Sequence, residues 1–116
     1  MSWPTELRLD AAKETLNVVF ESGERFALKA EYLRVESPSA EVQGHNPDQK
    51  KIVPGKHHVK IASLEPVGNY AVRILFDDGH DTGLYSWDYL YELGRRHDEK
   101  WAAYLRALHI AKLKRE

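Results

Sequence analysis

Metal ligation, acid–base catalysis and nucleophilic attack each require particular residue types at particular spacings. This 116-residue sequence offers fragments of all three. Among its six histidines, His45 and His80 fall in loop-like stretches that a fold can bring together. Glu36, Glu41, Asp77, Asp78 and Asp81 are available to complete a site of nitrogen and oxygen ligands. His57 and His58 are adjacent, and in a strand they would point to opposite faces and not share an ion. The sequence contains neither the helical HExxH spacing nor an EF-hand loop, so solvated loop side chains are the simpler reading.

The run Asp77-Asp78-Gly79-His80-Asp81 places carboxylates beside a histidine, a grouping in which the members shift one another's pKa values. The same run is also what a tight hairpin turn requires, and the turn is the stronger reading. Ser37 and Ser39 flank Pro38, but no G-x-S-x-G elbow surrounds them, and a nucleophilic serine needs both a base and an oxyanion hole. Gly44, Gly55 and Gly68 form neither a P-loop nor a dinucleotide fingerprint. No catalytic residue and no cofactor site is therefore expected, and the chain reads as a non-enzyme.

Composition narrows the classes further. The sequence is 42% hydrophobic and 30% charged, ordinary values for a globular domain. With no cysteine, the chain alone offers no disulfide, no thiolate zinc site and no cysteine nucleophile. A formal net charge of −1 lacks the basic footprint of a nucleic-acid binder, and the basic end Lys112 to Arg115 is too short to change that. No apolar run approaches the ~20 residues of a membrane-spanning helix, and the N-terminus does not read as a secretory signal. A cytoplasmic protein without membrane or nucleic-acid partners is expected.

These residues must be positioned by short elements. Leu7 and Leu9, then Leu16, Val18 and Phe20, then Phe26 and Leu28 alternate with polar neighbours, which predicts three antiparallel strands. Ala30 to Val35 reads as a short helical turn. Glu36 to His57, broken by prolines and glycines, reads as a long loop. Val59 to Pro66, Tyr70 to Phe76 and Thr82 to Tyr85 predict a second meander. Ser86 is a candidate N-cap for a helix carrying Trp87, Leu90 and Tyr91, with Gly94 as its C-cap or hinge. A last helix presents Trp101, Tyr104, Leu105, Leu108 and Ala111. Tyr89 should point away from the Trp87–Tyr91 side, as an exposed contact. The fold class expected is α+β: two short antiparallel β-meanders forming a small sheet layer, packed with C-terminal helices, in a single domain over 1–116.

Three stretches together resemble a known family. They are Ser37-Pro-Ser-Ala-Glu-Val-Gln-Gly-His45, Leu64-Glu-Pro-Val-Gly-Asn-Tyr-Ala-Val72, and Phe76-Asp-Asp-Gly-His-Asp-Thr-Gly-Leu-Tyr-Ser-Trp-Asp-Tyr-Leu90. They resemble bacterial stand-alone proteins named for the N-terminal domain of γ-butyrobetaine hydroxylase. The likeness spans about residues 5–95, with a helical extension over about 97–114. In the hydroxylase this domain carries zinc on three closely spaced cysteines and one later histidine, while the catalytic iron and 2-oxoglutarate sites lie in a separate domain. The resemblance places those ligand positions on Ser37, Ser39, about Val42 and His80. A hydroxyl is a poor substitute for a thiolate and valine cannot ligate, so a degenerate zinc site without zinc is expected. The oxygenase activity is not carried over.

Similar domains also occur attached to iron–sulfur carrier ATPases of the Mrp type, which implies an accessory role in cluster handling. The leading expectation is a non-enzymatic binding or adaptor module that docks on a protein partner such as a metalloenzyme or iron–sulfur cluster-assembly factor. Ser37, Ser39, Glu41, His45, His80 and Tyr89 form its candidate surface. The alternatives are a metal-binding protein using His80 and His45 with nearby carboxylates, and a small ligand-binding protein.

Overall fold

The computed structural model describes residues 3–116 as the α+β arrangement expected. Strands β1 (Pro4–Leu9), β2 (Thr15–Phe20) and β3 (Arg25–Lys29) pair antiparallel in chain order. Strands β4 (Ile61–Val67), β5 (Ala71–Phe76) and β6 (Leu84–Ser86) form a second antiparallel sheet, also in chain order. The helices are α1 (Ala30–Val35), α2 (Ala40–Gln43), α3 (Trp87–Arg95) and α4 (His97–Ala111).

Alternation decides which face each strand buries. Leu16, Val18 and Phe20 of β2 are sealed in, while Asn17 and Val19 between them stay half-buried. One core joins these residues to Leu28, to Tyr32 and Leu33 of α1, to Ile61, Ile74 and Phe76 of the second sheet, and to Leu90 and Leu93 of α3. The sheets are also tied through the backbone. The turn after β1 is organised by the Asp10 carboxylate, which accepts the Glu14 and Thr15 amides at 2.8 and 3.2 Å. Lys13 there takes a left-handed φ of 60°, and its carbonyl accepts the Ile61 amide at 2.9 Å.

The stretch expected as an unbroken loop contains α2 and a 3₁₀ turn at Pro47–Gln49. Ser39 caps α2, its hydroxyl accepting the Glu41 amide at 3.2 Å, a local signal that the proline and glycine punctuation masked. Ser86 caps α3 as expected, accepting the Tyr89 amide at 3.1 Å. Helix α4 buries Tyr104 and Leu108 against Val35 in a second small cluster. Leu105, with 39% of its surface exposed, and Ala111 stay outside, so the apolar stripe is narrower than expected.

Gly94 ends no helix. It lies inside α3, and a Cβ there would stand 2.4 Å from a ring carbon of Phe26. That ring cannot easily retreat, because Phe20 and Tyr91 pack edge-on around it at 5.9 Å each. In an unconstrained helix interior Gly→Ala stabilises by roughly 1 kcal/mol. Here overpacking reverses the sign, and Gly94→Ala is expected to destabilise by about 1–3 kcal/mol. Urea unfolding of wild type, Gly94→Ala, Phe26→Ala and Gly94→Ala/Phe26→Ala checks this: the cost of Gly94→Ala should shrink when Phe26 is already Ala. A stabilised single variant would contradict the close approach.

Candidate functional site

Helix α1 delivers the chain to Glu36, and residues 36–39 then run through the interior. Glu36 and Ser37 are 3% and 0% exposed. A buried non-repetitive backbone must have its carbonyls satisfied, and tyrosines supply the donors. Tyr85 donates to the Leu33 carbonyl and Tyr89 to the Glu36 carbonyl, each at 2.5 Å. Burial pushes both phenols well above their ordinary pKa, so they remain donors throughout the neutral range. The orientation expected for Tyr89 is thereby corrected. It faces the end of α1, half-buried, because α3 packs against β3, β6 and α4; Trp87, Tyr89 and Tyr91 all pack on the core.

Ser37, Ser39 and His80 do come together. The Ser37 hydroxyl lies 2.8 Å from His80 Nε2 and accepts the Ser39 amide at 3.3 Å. The Ser39 hydroxyl meets the Thr82 hydroxyl at 2.8 Å. Thr82 donates to Glu41 Oε1 at 3.2 Å, and Glu41 Oε2 stands 3.4 Å from His80 Nδ1. Gly83 makes the approach possible, since a Cβ on it would come within 2.7 Å of the Ser37 oxygen. Val42, the remaining position of the quartet, is buried at 2% exposure.

Behind this cluster sits a charged one. Asp78 accepts the His80 amide at 3.0 Å, the Arg34 Nε at 2.8 Å and the Lys56 Nζ at 2.6 Å. Burial alone would raise the Asp78 pKa, but those donors outweigh it and hold the carboxyl at about 2. Arg34, Lys56, Thr82 and Gly83 were not singled out from sequence. Arg34 lies at the helix end and Thr82 and Gly83 follow His80 in the chain, which says nothing of contact, and Lys56 carries no local signal at all.

Serine, imidazole and carboxylate in this order resemble the connectivity of a hydrolytic triad. The geometry does not support that chemistry. Ser37 is fully buried, its oxygen is committed to the Ser39 amide as well as to His80, and the larger clefts among the described residues lie elsewhere. The donor set does not fit zinc either: two hydroxyls, a valine and an imidazole whose Nε2 already faces a hydroxyl provide no thiolate and no carboxylate at the four ligand positions. What the arrangement does is cross-link the 36–42 segment to the β5–β6 connection.

His45 is exposed beyond the C-terminal end of α2, its amide donating to Gln49 Oε1 at 2.8 Å, and among the described residues it joins no trio of metal-type donors with His80. The histidines that do approach one another are His57 and His58, which lie in a turn and not a strand, so adjacency does not send them to opposite faces; their rings sit 4.6 Å apart. With Glu116 they form a trio of metal-type donors. However, Arg115 Nη2 lies 2.7 Å from His57 Nδ1, where an N–H donor selects the tautomer with its proton on Nε2 and opposes a cation.

These features define an α+β domain of two three-stranded meanders whose buried serine–histidine cluster ties an interior loop to the second sheet. The chain belongs to the family described as Gamma-butyrobetaine hydroxylase-like, N-terminal, which it matches over residues 7–91. Two similar structures solved in solution by NMR share 47% and 46% of its sequence, each with a TM-score of 0.85. Both matches cover 100% of this chain, and 91% and 86% of the respective relatives. A crystal structure from Acidithiobacillus ferrooxidans, described as a protein of unknown function of the DUF971 family, is 38% identical with a TM-score of 0.66. That match covers 78% of this chain and 91% of the other. No curated protein matches the chain. No helix among the described residues is long and apolar enough to cross a membrane.

His80 gives the cluster a pH signature. Burial, with the nearby Arg34 charge, lowers its pKa below 6.5, and Glu41 and Asp78 only partly offset this. The unfolded chain therefore binds the proton more readily, so the His80 contribution is complete above 6.5 and is lost as pH falls toward the lowered folded value. Asp78 titrates near 2, outside that window. NMR titration of the imidazoles should place His80 below 6.5, and the pH slope of urea stability between about pH 7 and 5 should shrink in His80→Gln. A His80 midpoint at or above 6.5 would overturn this assignment.

Proposed function

We propose that this chain is a non-enzymatic binding module that docks on a protein partner, using the surface that the buried cluster holds in place. One observation carries the reading. The groups with chemical potential, Ser37, Ser39 and His80, are buried and bonded to one another, whereas the segment they anchor exposes Glu41, His45, Lys51 and Ile52. The partner class that the family resemblance implies is a metalloenzyme or an iron–sulfur cluster-assembly factor. A cysteine-free chain would act on such a partner by contact and not by ligating its metal. Tyr89 supports the surface from beneath by fixing the Glu36 carbonyl.

The test is affinity capture from native lysate with wild type, Glu41→Lys/His45→Ala, and a control substitution at Arg8, which is exposed on β1. The expected result is a partner of metal-carrying or cluster-assembling type that is retained by wild type and the Arg8 control and depleted by about tenfold in the double variant. Capture of nothing, or capture indifferent to the double variant, would reject the docking reading.

The same reading holds that no zinc occupies the serine–histidine cluster. Protein purified without a histidine tag should carry well under one equivalent of zinc. Ser37→Cys/Ser39→Cys/Val42→Cys should acquire about one equivalent and lose it again when His80→Gln is added. Stoichiometric zinc in the unsubstituted chain, released by His80→Gln, would overturn the claim.

A second reading, small-ligand binding, is favoured by a separate feature. A half-open cleft of about 590 Å³ lies between the end of β3, the 57–60 turn and α4, within the size range of small-molecule sites.

A further inference from the structure

That cleft has a definable chemistry. Its inner wall is aromatic: Tyr32, 1% exposed, meets the His97 and Trp101 rings edge-on at 4.7 and 6.2 Å. The Arg115 guanidinium lies 5.3 Å over the Trp101 ring and is fixed there by Glu31, which accepts its Nε at 2.9 Å and its Nη2 at 2.6 Å. The tail that carries Arg115 is itself strapped down. The Lys114 carbonyl accepts the Gly55 amide and the Arg115 carbonyl accepts the His57 amide, both at 2.9 Å. The wall is therefore built from paired backbone and an ion pair whose carboxylate is buried and whose guanidinium is partly exposed.

The remaining charges at the mouth are unequal. Glu31 and Arg115 neutralise one another, so among the lining residues Lys29 and Lys60 stand against Glu14, while Glu116 lies beside His57 and His58. Among the described residues neither lysine forms an ion pair. The cleft thus carries two lysines without ion-pair partners at one end of its rim and π surface at its back. A metal ion entering beside His57 and His58 meets the Arg115 guanidinium, 2.7 Å from His57 Nδ1, at close range.

We infer that this cleft is a binding site for a small anion that bears a planar ring, its carboxylate or phosphate held at the Lys29–Lys60 mouth and its ring against Trp101. The site deepens the binding-module reading by giving it a small-molecule ligand on a face other than the 41–52 surface. It rests on that reading only in requiring that the chain bind and not transform its ligand.

The experiment titrates the isolated ¹⁵N-labelled chain with indole-3-acetate, adenosine monophosphate and inorganic phosphate, with uncharged indole and adenosine as the neutral counterparts. The two ring-bearing anions separate a carboxylate from a phosphate source. At least one of them should produce saturable shifts of the Trp101 indole N–H and of the amides of Lys29 and 57–60, with a Kd below about 1 mM. Its neutral counterpart and inorganic phosphate should bind more weakly by about tenfold or more. Lys29→Glu/Lys60→Glu, both exposed positions, should weaken binding by at least about tenfold with unchanged spectral dispersion, and Lys112→Glu on the far end of α4 should not. No saturable shift with any anion, equal binding of charged and neutral rings, or indifference to the double charge reversal would each overturn the site. Partner capture by Glu41→Lys/His45→Ala is read on a different surface, so either result can fail alone.

Discussion

The structure depends on buried phenols that hydrogen-bond to the backbone. A helix leaves its last carbonyls without partners, and burying such an end away from water is costly unless a donor reaches it. Here Tyr85 satisfies Leu33 in the last turn of α1, Tyr89 satisfies Glu36 just beyond it, and Tyr32 on α1 returns the service to Leu93 near the end of α3. Tyr104 of α4 does the same for Val53, with its phenol pushed up to about 12, first by burial. Each bond joins segments far apart in the chain, so together they fix how the two meanders and the helices meet. Because the rings also fill the core, removing one would leave both a void and an unpaired carbonyl.

That constraint explains why the 36–39 segment can be interior at all. Once Tyr85 and Tyr89 hold the carbonyls on one side, the Ser37 and Ser39 side chains turn toward the β5–β6 connection. There His80 and Thr82, two residues apart on one short stretch, receive one hydroxyl each. Gly83 leaves room for the contact where any side chain would displace the Ser37 oxygen. The polar cluster is thus a consequence of a backbone that has to be buried, and its resemblance to a catalytic constellation is a matter of connectivity without access.

Much of the fold was legible because its signals are local. Alternation at Leu16, Val18 and Phe20 reports one buried face, and Ser86 before Trp87 reports a cap. Gly94 shows the limit: a glycine near a helix end reads as a terminator, and only the Phe26 ring, some seventy residues away, gives it another purpose. Tyr89 fails for a related reason. Helical spacing predicts which residues share a face but not how many sides of the helix are covered, and α3 is covered on more than one. The nearness of Ser37 and Ser39 to the His80 stretch was legible only through the family resemblance. The aromatic and cationic cleft was not legible, since it takes Lys29, His57, Trp101 and Arg115 from four parts of the chain.

What a metal would do in this fold can be weighed against what replaces it. A structural zinc contributes roughly 10–16 kcal/mol of apparent folding free energy in small zinc domains, whereas a neutral hydrogen bond contributes about 0.5–1.5 kcal/mol net. The bonds among Ser37, Ser39, His80, Thr82 and Glu41 cannot match a metal in strength. They need not, because other contacts restrain the same segment. Val35, one residue before Glu36, is sealed by Tyr104 and Leu108 of α4, a helix that lies beyond the family-matched residues 7–91. Lys50 Nζ pairs with Glu36 itself at 2.7 Å, and Gln43 Nε2 donates to the Ser37 carbonyl at 2.8 Å. Apolar packing and dispersed hydrogen bonds share the restraint, so the place of the segment does not depend on any one of them. The geometry of these positions persists because the buried backbone demands it.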